Sequence, residues 1–162
     1  YSEIRVASSE SRDTIKAYGN TVATIIQGII TEETITKDAE ALAAFASSQD
    51  QEGVSDIVRL NTESSRIDAI LKKLLTLSVP PSATLYHITM LNQITLYRDV
   101  LLDLSKGVSD PIRAKIALGK YPDTLVGTLL IYKKLSEYFT LKNIVFTANE
   151  SGYVFTIGYT LE

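Results

Sequence analysis

Val79-Pro80-Pro81-Ser82 stands at the midpoint of a 162-residue chain and separates two long stretches of helical periodicity. Neither proline suits a helix interior, because each lacks an amide N–H and its ring clashes with the preceding turn. Pro80 also pushes Val79 toward an extended backbone. Pro81 fits the first turn of a new helix, with the short polar side chain of Ser82 beside it as a cap. The stretch therefore predicts a sharp reversal between two antiparallel helices, with the rest of the chain folded around that hairpin.

Upstream of it, Val54, Ile57, Leu60, Ile67, Ile70, Leu71, Leu74 and Leu77 recur at helical steps, almost in phase with Leu42 and Phe45. That phase match predicts one long helix from about residue 35 to residue 78, which either breaks at the polar Ser47–Gly53 stretch or runs on through it. Thr34 or Thr36 caps its start. Earlier still, Ile15, Tyr18, Val22, Ile25, Ile26, Ile29 and Ile30 form one apolar face between Tyr1 and Thr31. Gly19 and Gly28 weaken that helix, and their small size allows close helix–helix approach.

Downstream, Leu85, Ile88, Leu91, Ile94, Leu96 and Val100–Leu104 define the partner helix. It stops at Lys106-Gly107, with the glycine suited to a left-handed cap. Ser109-Asp110-Pro111 restarts a helix, Asp110 as cap and Pro111 in the first turn. Gly119-Lys120-Tyr121-Pro122-Asp123 is expected to interrupt or kink it, before a last helix through Leu125, Leu129, Tyr132, Leu135 and Phe139. Residues 143–147 and 153–157 are β-branched and aromatic with period-two alternation, around a turn composition at 148–152. They read as a β-hairpin whose Ile144, Phe146, Phe155 and Ile157 pack on the bundle.

The expected fold is mainly α: an antiparallel bundle of four to five helices over residues 1–142, with a C-terminal β-hairpin over residues 143–160, in a single domain. At this length roughly two-thirds of the unfolded chain's surface can be buried. A net charge of −3 and the lack of any run of Lys and Arg argue against a duplex nucleic-acid binder. The absence of cysteine excludes disulfides, thiolate metal sites and cysteine nucleophiles. No apolar run reaches the ~18–20 residues of a transmembrane helix. The chain begins at Tyr1 and not at methionine, so an N-terminal signal or membrane anchor is expected to precede it, and Leu161-Glu162 has the composition of a cloning scar.

His87 is the single histidine. Catalysis would need a nucleophile or carboxylate at hydrogen-bond range, and metal binding would need companions. The alternative, a histidine bonded to a carbonyl or packed at the hairpin, fits its place better. Asp99 and Asp103 share a helix face at i, i+4, as an acid/base pair or a hard-cation site would; a solvated face screened by Arg98 and Lys106 is the competing reading. No Glu-x-x-His pair, nucleophile elbow, phosphate loop or dinucleotide fingerprint occurs. No catalytic, cofactor-binding or metal-binding residue is assigned, and no cofactor is expected. The nine tyrosines suit either boundary packing or a glycan- or peptide-binding face. Asn149-Glu150-Ser151 matches a glycosylation sequon in the expected turn.

The Val79-Pro80 turn, His87, Asn92, and then Ser109-Asp110-Pro111 with Ala114 and Tyr121 form a pattern over the second half of the chain. It resembles a group of uncharacterised helical proteins of candidate-phyla bacteria, the Patescibacteria. Those proteins typically carry an N-terminal membrane anchor or signal followed by an extracytoplasmic helical domain. The resemblance implies a secreted or cell-envelope location in a bacterium, and it transfers no functional residue.

The expectation is a non-enzymatic extracytoplasmic helical domain for interaction or scaffolding at the cell envelope, with another envelope protein or a glycan as partner. A second reading is a periplasmic ligand-sensing bundle of a membrane receptor. A third is a carboxylate enzyme using Asp99 and Asp103.

Overall fold

The computed structural model describes residues 4–29, 36, 40 and 54–156. The expected cap at Thr34, the break over Ser47–Gly53, Ile157 and Tyr159 lie outside the described residues. Within them the chain is mainly α, with four helices packed together: α1 (Arg12–Ile26), α2 (Val54–Leu75), α3 (Thr84–Leu104) and α4 (Pro111–Leu141). α3 packs most extensively on α4, then on α2, while α1 packs on α2 and on the C-terminal segment. Contacts between α3 and α4 run Tyr86–Tyr138, Tyr97–Tyr121 and Asp103–Arg113, so the two helices run in opposite directions. No described helix is long and apolar enough to cross a membrane.

The proline stretch acts as its chemistry predicts, with one addition. Val79 is extended and fully buried, and Ser78–Val79 (β2) pairs in parallel with Arg5–Val6 (β1). α2 therefore stops at Leu75, three residues before the expected end at 78. Pro81–Ala83 forms a single 3-10 turn that leads into α3.

Each helix starts on a local signal. Ser11 and Thr14 form a reciprocal capping box at the start of α1, Ser11 N–H donating to Thr14 Oγ1 at 2.8 Å. Asp110 caps α4 by accepting the Arg113 amide at 3.1 Å, with Pro111 in the first turn. Gly28, at φ +85°, adopts the left-handed backbone just past α1, whose Ile26 carbonyl accepts the Tyr132 hydroxyl at 3.0 Å. α3 ends differently from expectation. Among the described residues Gly107 is not left-handed, and Lys106 N–H and Gly107 N–H instead close short bonds to Asp103 and Leu104 carbonyls.

Two expectations are overturned. The first is the interruption at Gly119–Asp123, because α4 is helical without a break from Pro111 to Leu141. Pro122 sits on the exposed face, where losing one hydrogen bond costs least, while its neighbours Tyr121 and Thr124 are buried. The second is the C-terminal β-hairpin, which does not form. Asn143, at φ 53°, is not a strand residue but the left-handed stop of α4. Its N–H bonds to the Thr140 carbonyl at 3.0 Å and the Ile144 N–H to the Phe139 carbonyl at 2.9 Å, which is the Schellman pattern. Residues 144–147 form no strand, and Ser151–Phe155 is a 3-10 turn.

The period-two alternation is real, since Ile144 and Phe146 are buried and Val145 is exposed. It is used to seat side chains on α1 and α4. Backbone groups that a hairpin would pair are satisfied otherwise: Glu150 accepts the Thr147 N–H at 2.7 Å, and Asn20 accepts the Gly152 N–H at 2.8 Å. The Phe146 ring lies edge-on to Phe139 at 5.1 Å and is pressed between Gly19 and Gly152. A β-carbon on Gly19 would sit 2.5 Å from Phe146 Cζ, and one on Gly152 2.4 Å from the same ring. Gly19 thus admits two aromatic rings, Phe146 and Phe139 of α4, whose Cζ would lie 2.8 Å from that β-carbon.

Gly19→Ala tests this seating. Helix propensity alone favours alanine by up to about 1 kcal/mol, but overpacking a filled core costs about 1–3 kcal/mol. We expect a net loss of stability in urea denaturation. A variant as stable as the wild type would refute the tight seating of Phe146.

Candidate functional site

Polar side chains gather at the proline end of the bundle. Glu10 comes from the segment between β1 and α1, Ser82 from the 3-10 turn, and Tyr138 and Lys142 from the end of α4. Glu10 accepts the Ser82 N–H at 2.8 Å and the Ser82 hydroxyl at 2.7 Å. Ser82 Oγ also lies 2.9 Å from the Tyr138 hydroxyl, and Lys142 donates to Glu10 at 3.2 Å. Ser82 is therefore not its own cap: a carboxylate from 72 residues earlier covers the free amide. The Ser82 amide and hydroxyl, with help from Lys142, hold the Glu10 carboxyl below the usual carboxylate range.

His87 lies one turn into α3 and is wholly buried. Its Nδ1 shares a hydrogen bond of 2.9 Å with the Tyr18 hydroxyl of α1. The Leu74 carbonyl approaches the ring but falls short of a hydrogen bond to Nε2, which has no hydrogen-bond partner among the described residues. Burial pushes the His87 pKa down, with the Leu74 carbonyl opposing in part, and burial pushes the Tyr18 hydroxyl up. The ring is neutral near pH 7, sealed from solvent and out of reach of a substrate. This matches the packed-histidine reading.

Asp99 and Asp103 share a helix but not a task. Asp99 accepts from its neighbour Arg98 at 2.6 Å, and Asp103 accepts from Arg113 of α4 at 2.7 Å. Arg98 also reaches Asp68 of α2 at 3.0 Å, which makes these groups a lattice of ion pairs between helices. No group of three or more His, Asp or Glu able to hold a metal occurs among the described residues.

The tyrosines are mostly core. Tyr18, Tyr97, Tyr121, Tyr132 and Tyr138 are buried, Tyr86 is half-buried and Tyr153 is exposed. Among the described residues they do not make a tyrosine-rich surface. The sequon residues Asn149 and Ser151 are exposed in the loop after residue 147, as a turn reading required, although no hairpin surrounds them.

A groove that sequence reading missed lies between the end of α1, the middle of α4 and residues 148–154. It has a volume of about 530 Å³ and is lined by Gln27, Leu129, Tyr132, Asn149, Tyr153 and Val154 among others. Glu150 at its edge is held by Lys16 at 2.9 Å, by the Thr147 amide and by Asn20. The Lys16 ammonium, followed by the Thr147 amide, brings its carboxyl down to about 2. Only the fold of 148–154 onto α1 creates this groove, and no residue pattern announces it.

The fold defines a mainly α protein of four packed helices. A scan against protein-family models, a search of curated proteins and a search of solved structures each found no match.

Two measurements check this geometry. Glu10→Gln should lose about 1–2 kcal/mol at neutral pH, as expected for a charge-assisted cap. Because the folded pKa of Glu10 lies below its ordinary 4.5, that advantage is present above pH 4.5. It fades as pH falls through the folded value, so variant and wild type should converge in acid. A gap that persists there would assign the effect to something other than the charge.

His87 acts in a separate window. Its folded pKa lies below the ordinary 6.5, so its contribution is complete above pH 6.5 and is lost as pH falls through the folded value. Below about pH 6.5 stability should therefore fall as pH falls, until the folded value is passed. His87→Gln should flatten that slope, since the chain has no other histidine. An unchanged slope in the variant would contradict the burial argument.

Proposed function

We propose that this chain is a non-enzymatic extracytoplasmic domain for interaction or scaffolding at a bacterial cell envelope, with a protein or glycan of the envelope as partner. The groove of about 530 Å³ beside residues 148–154 carries the reading. Its apolar lining of Leu129 and Val154, together with Asn149, Gln27 and the exposed Tyr153, suits a sugar ring or a short peptide. Glu150 is the acidic group at its edge, and it is already bound and held ionised, so it is poorly disposed to donate a proton. That favours binding over bond cleavage there. The resemblance of the Val79-Pro80, His87 and Ser109-Asp110-Pro111 pattern to extracytoplasmic helical proteins of the Patescibacteria supports the location and a full-length protein with a signal or anchor. The second reading, a ligand-sensing bundle of a membrane receptor, draws on the same groove, whose volume also fits a small molecule.

Titrating isotope-labelled protein with soluble cell-wall glycan fragments, and separately with amino acids and small sugars, tests both readings by NMR. The interaction reading expects saturable shifts at residues 23–28 and 148–154 with glycan fragments, weakened at least about tenfold in Tyr153→Ala. Shifts with the small ligands alone would favour the sensor. No saturable shift at the groove with either class would sink both readings of it.

A further inference from the structure

The end of the bundle away from the prolines carries three exposed aliphatic side chains. Val108, in the turn between α3 and α4, is 77% exposed, and Ile112 and Ile116 of α4 are 75% and 57% exposed. Ile112 and Ile116 are spaced i, i+4 and stand on one helix face. At about 100° per residue, Lys115 flanks that face on one side, and Arg113 and Lys120 flank it on the other. Lys106 precedes Val108 in the turn.

Residues 106–120 hold four cations and one carboxylate, a local excess of three positive charges in a chain whose total is −3. Arg113 is engaged with Asp103 at 2.7 Å, and Asp110 caps the helix, while Lys106, Lys115 and Lys120 make no ion pair among the described residues. Asp123 falls on the same face one turn beyond Gly119, which confines the apolar and basic surface to the turn and the first turns of α4.

We propose that this end of the bundle docks on an anionic lipid surface, with Val108, Ile112 and Ile116 entering the interface and the lysines meeting its headgroups. The composition separates this occupant from others. Protein interfaces favour aromatic residues, methionine and arginine and are depleted in lysine. Single-stranded nucleic acid calls for aromatic rings on which bases stack. Aliphatic prongs ringed by lysines suit a bilayer, where the lysine stems lie along the apolar zone and the ammonium groups stay with the phosphates. The rest of the chain carries a net negative charge, so an anionic surface repels it and orients this end inward.

The surface is distinct from the groove, and the proposal does not depend on the groove's ligand. The test is co-sedimentation of the full chain with phosphatidylcholine vesicles with and without phosphatidylglycerol. Binding is expected only with the anionic lipid, falling as salt is raised. The Ile112→Asp/Ile116→Asp and Lys115→Glu/Lys120→Glu variants should each cut binding at least about tenfold. All four positions are exposed, so the helical circular dichroism should persist and the groove titration should be unchanged. Absent or lipid-indifferent binding would overturn the proposal, as would binding that both variants retain. Self-association in sedimentation velocity that Ile112→Asp/Ile116→Asp abolishes, without vesicle binding, would overturn it in favour of a second copy. Binding to polyglutamate but not to vesicles would overturn it in favour of an acidic polypeptide.

Discussion

Pro80 forbids a helical backbone at Val79, and much of the molecule depends on where Val79 then goes. Extended and buried, it pairs with Val6 and brings the N-terminal segment to the tip of the central hairpin. Once there, Glu10 covers the Ser82 amide and hydroxyl and accepts from Lys142 at the end of α4. Arg12 donates to the Asn143 carbonyl at the same end. A two-residue bridge is weak by itself. The charge-assisted bonds that it positions are stronger, at about 1.5–3 kcal/mol for a hydrogen bond to a charged group. One local prohibition thus ties the start of α1, the start of α3 and the end of α4 into one joint.

The helices and their faces were legible because their determinants are local. Apolar spacing marks the buried stripe of α1, the Asp110-Pro111 pair marks the start of α4, and the two prolines mark the reversal. The Glu10 cap was not legible, because its partner is 72 residues away and a lone glutamate in a polar lead-in has no pattern. Pro122 shows the same limit from the other side. A local breaker yields when its neighbours are buried against another helix and the broken hydrogen bond faces outward.

The C-terminal segment shows how alternation misleads. Ile144, Val145 and Phe146 alternate buried and exposed as a strand does, yet a strand also requires a partner backbone. The chain leaves α4 through a left-handed Asn143, lays Phe146 between two glycines and satisfies its amides with Glu150 and Asn20. Asn143 directly after a helix was the available sign, since asparagine is the commonest substitute for glycine at such a stop. Gly19 was visible too, but its purpose was not, because the rings it accommodates lie far along the chain. The groove follows from the same fold-back and was invisible for the same reason.

The titratable groups that first drew attention serve the frame. His87 is locked to Tyr18 inside, and Asp99, Asp103 and Asp68 are bound to arginines that tie α2, α3 and α4 together. These pairs are partly open to solvent, so each contributes about 0–1 kcal/mol and serves chiefly to set how the helices sit together. What the frame leaves unengaged is surface: the mixed groove beside residues 148–154, and the lysine-ringed aliphatic turn at the far end of α3, about 30 Å from the proline tip at 1.5 Å per residue. The cations of that turn looked scattered in the sequence because no two are adjacent. Helical geometry sets Arg113, Lys115 and Lys120 around Ile112 and Ile116. The proline joint braces one end of that pair, and the other end is left free to make contact.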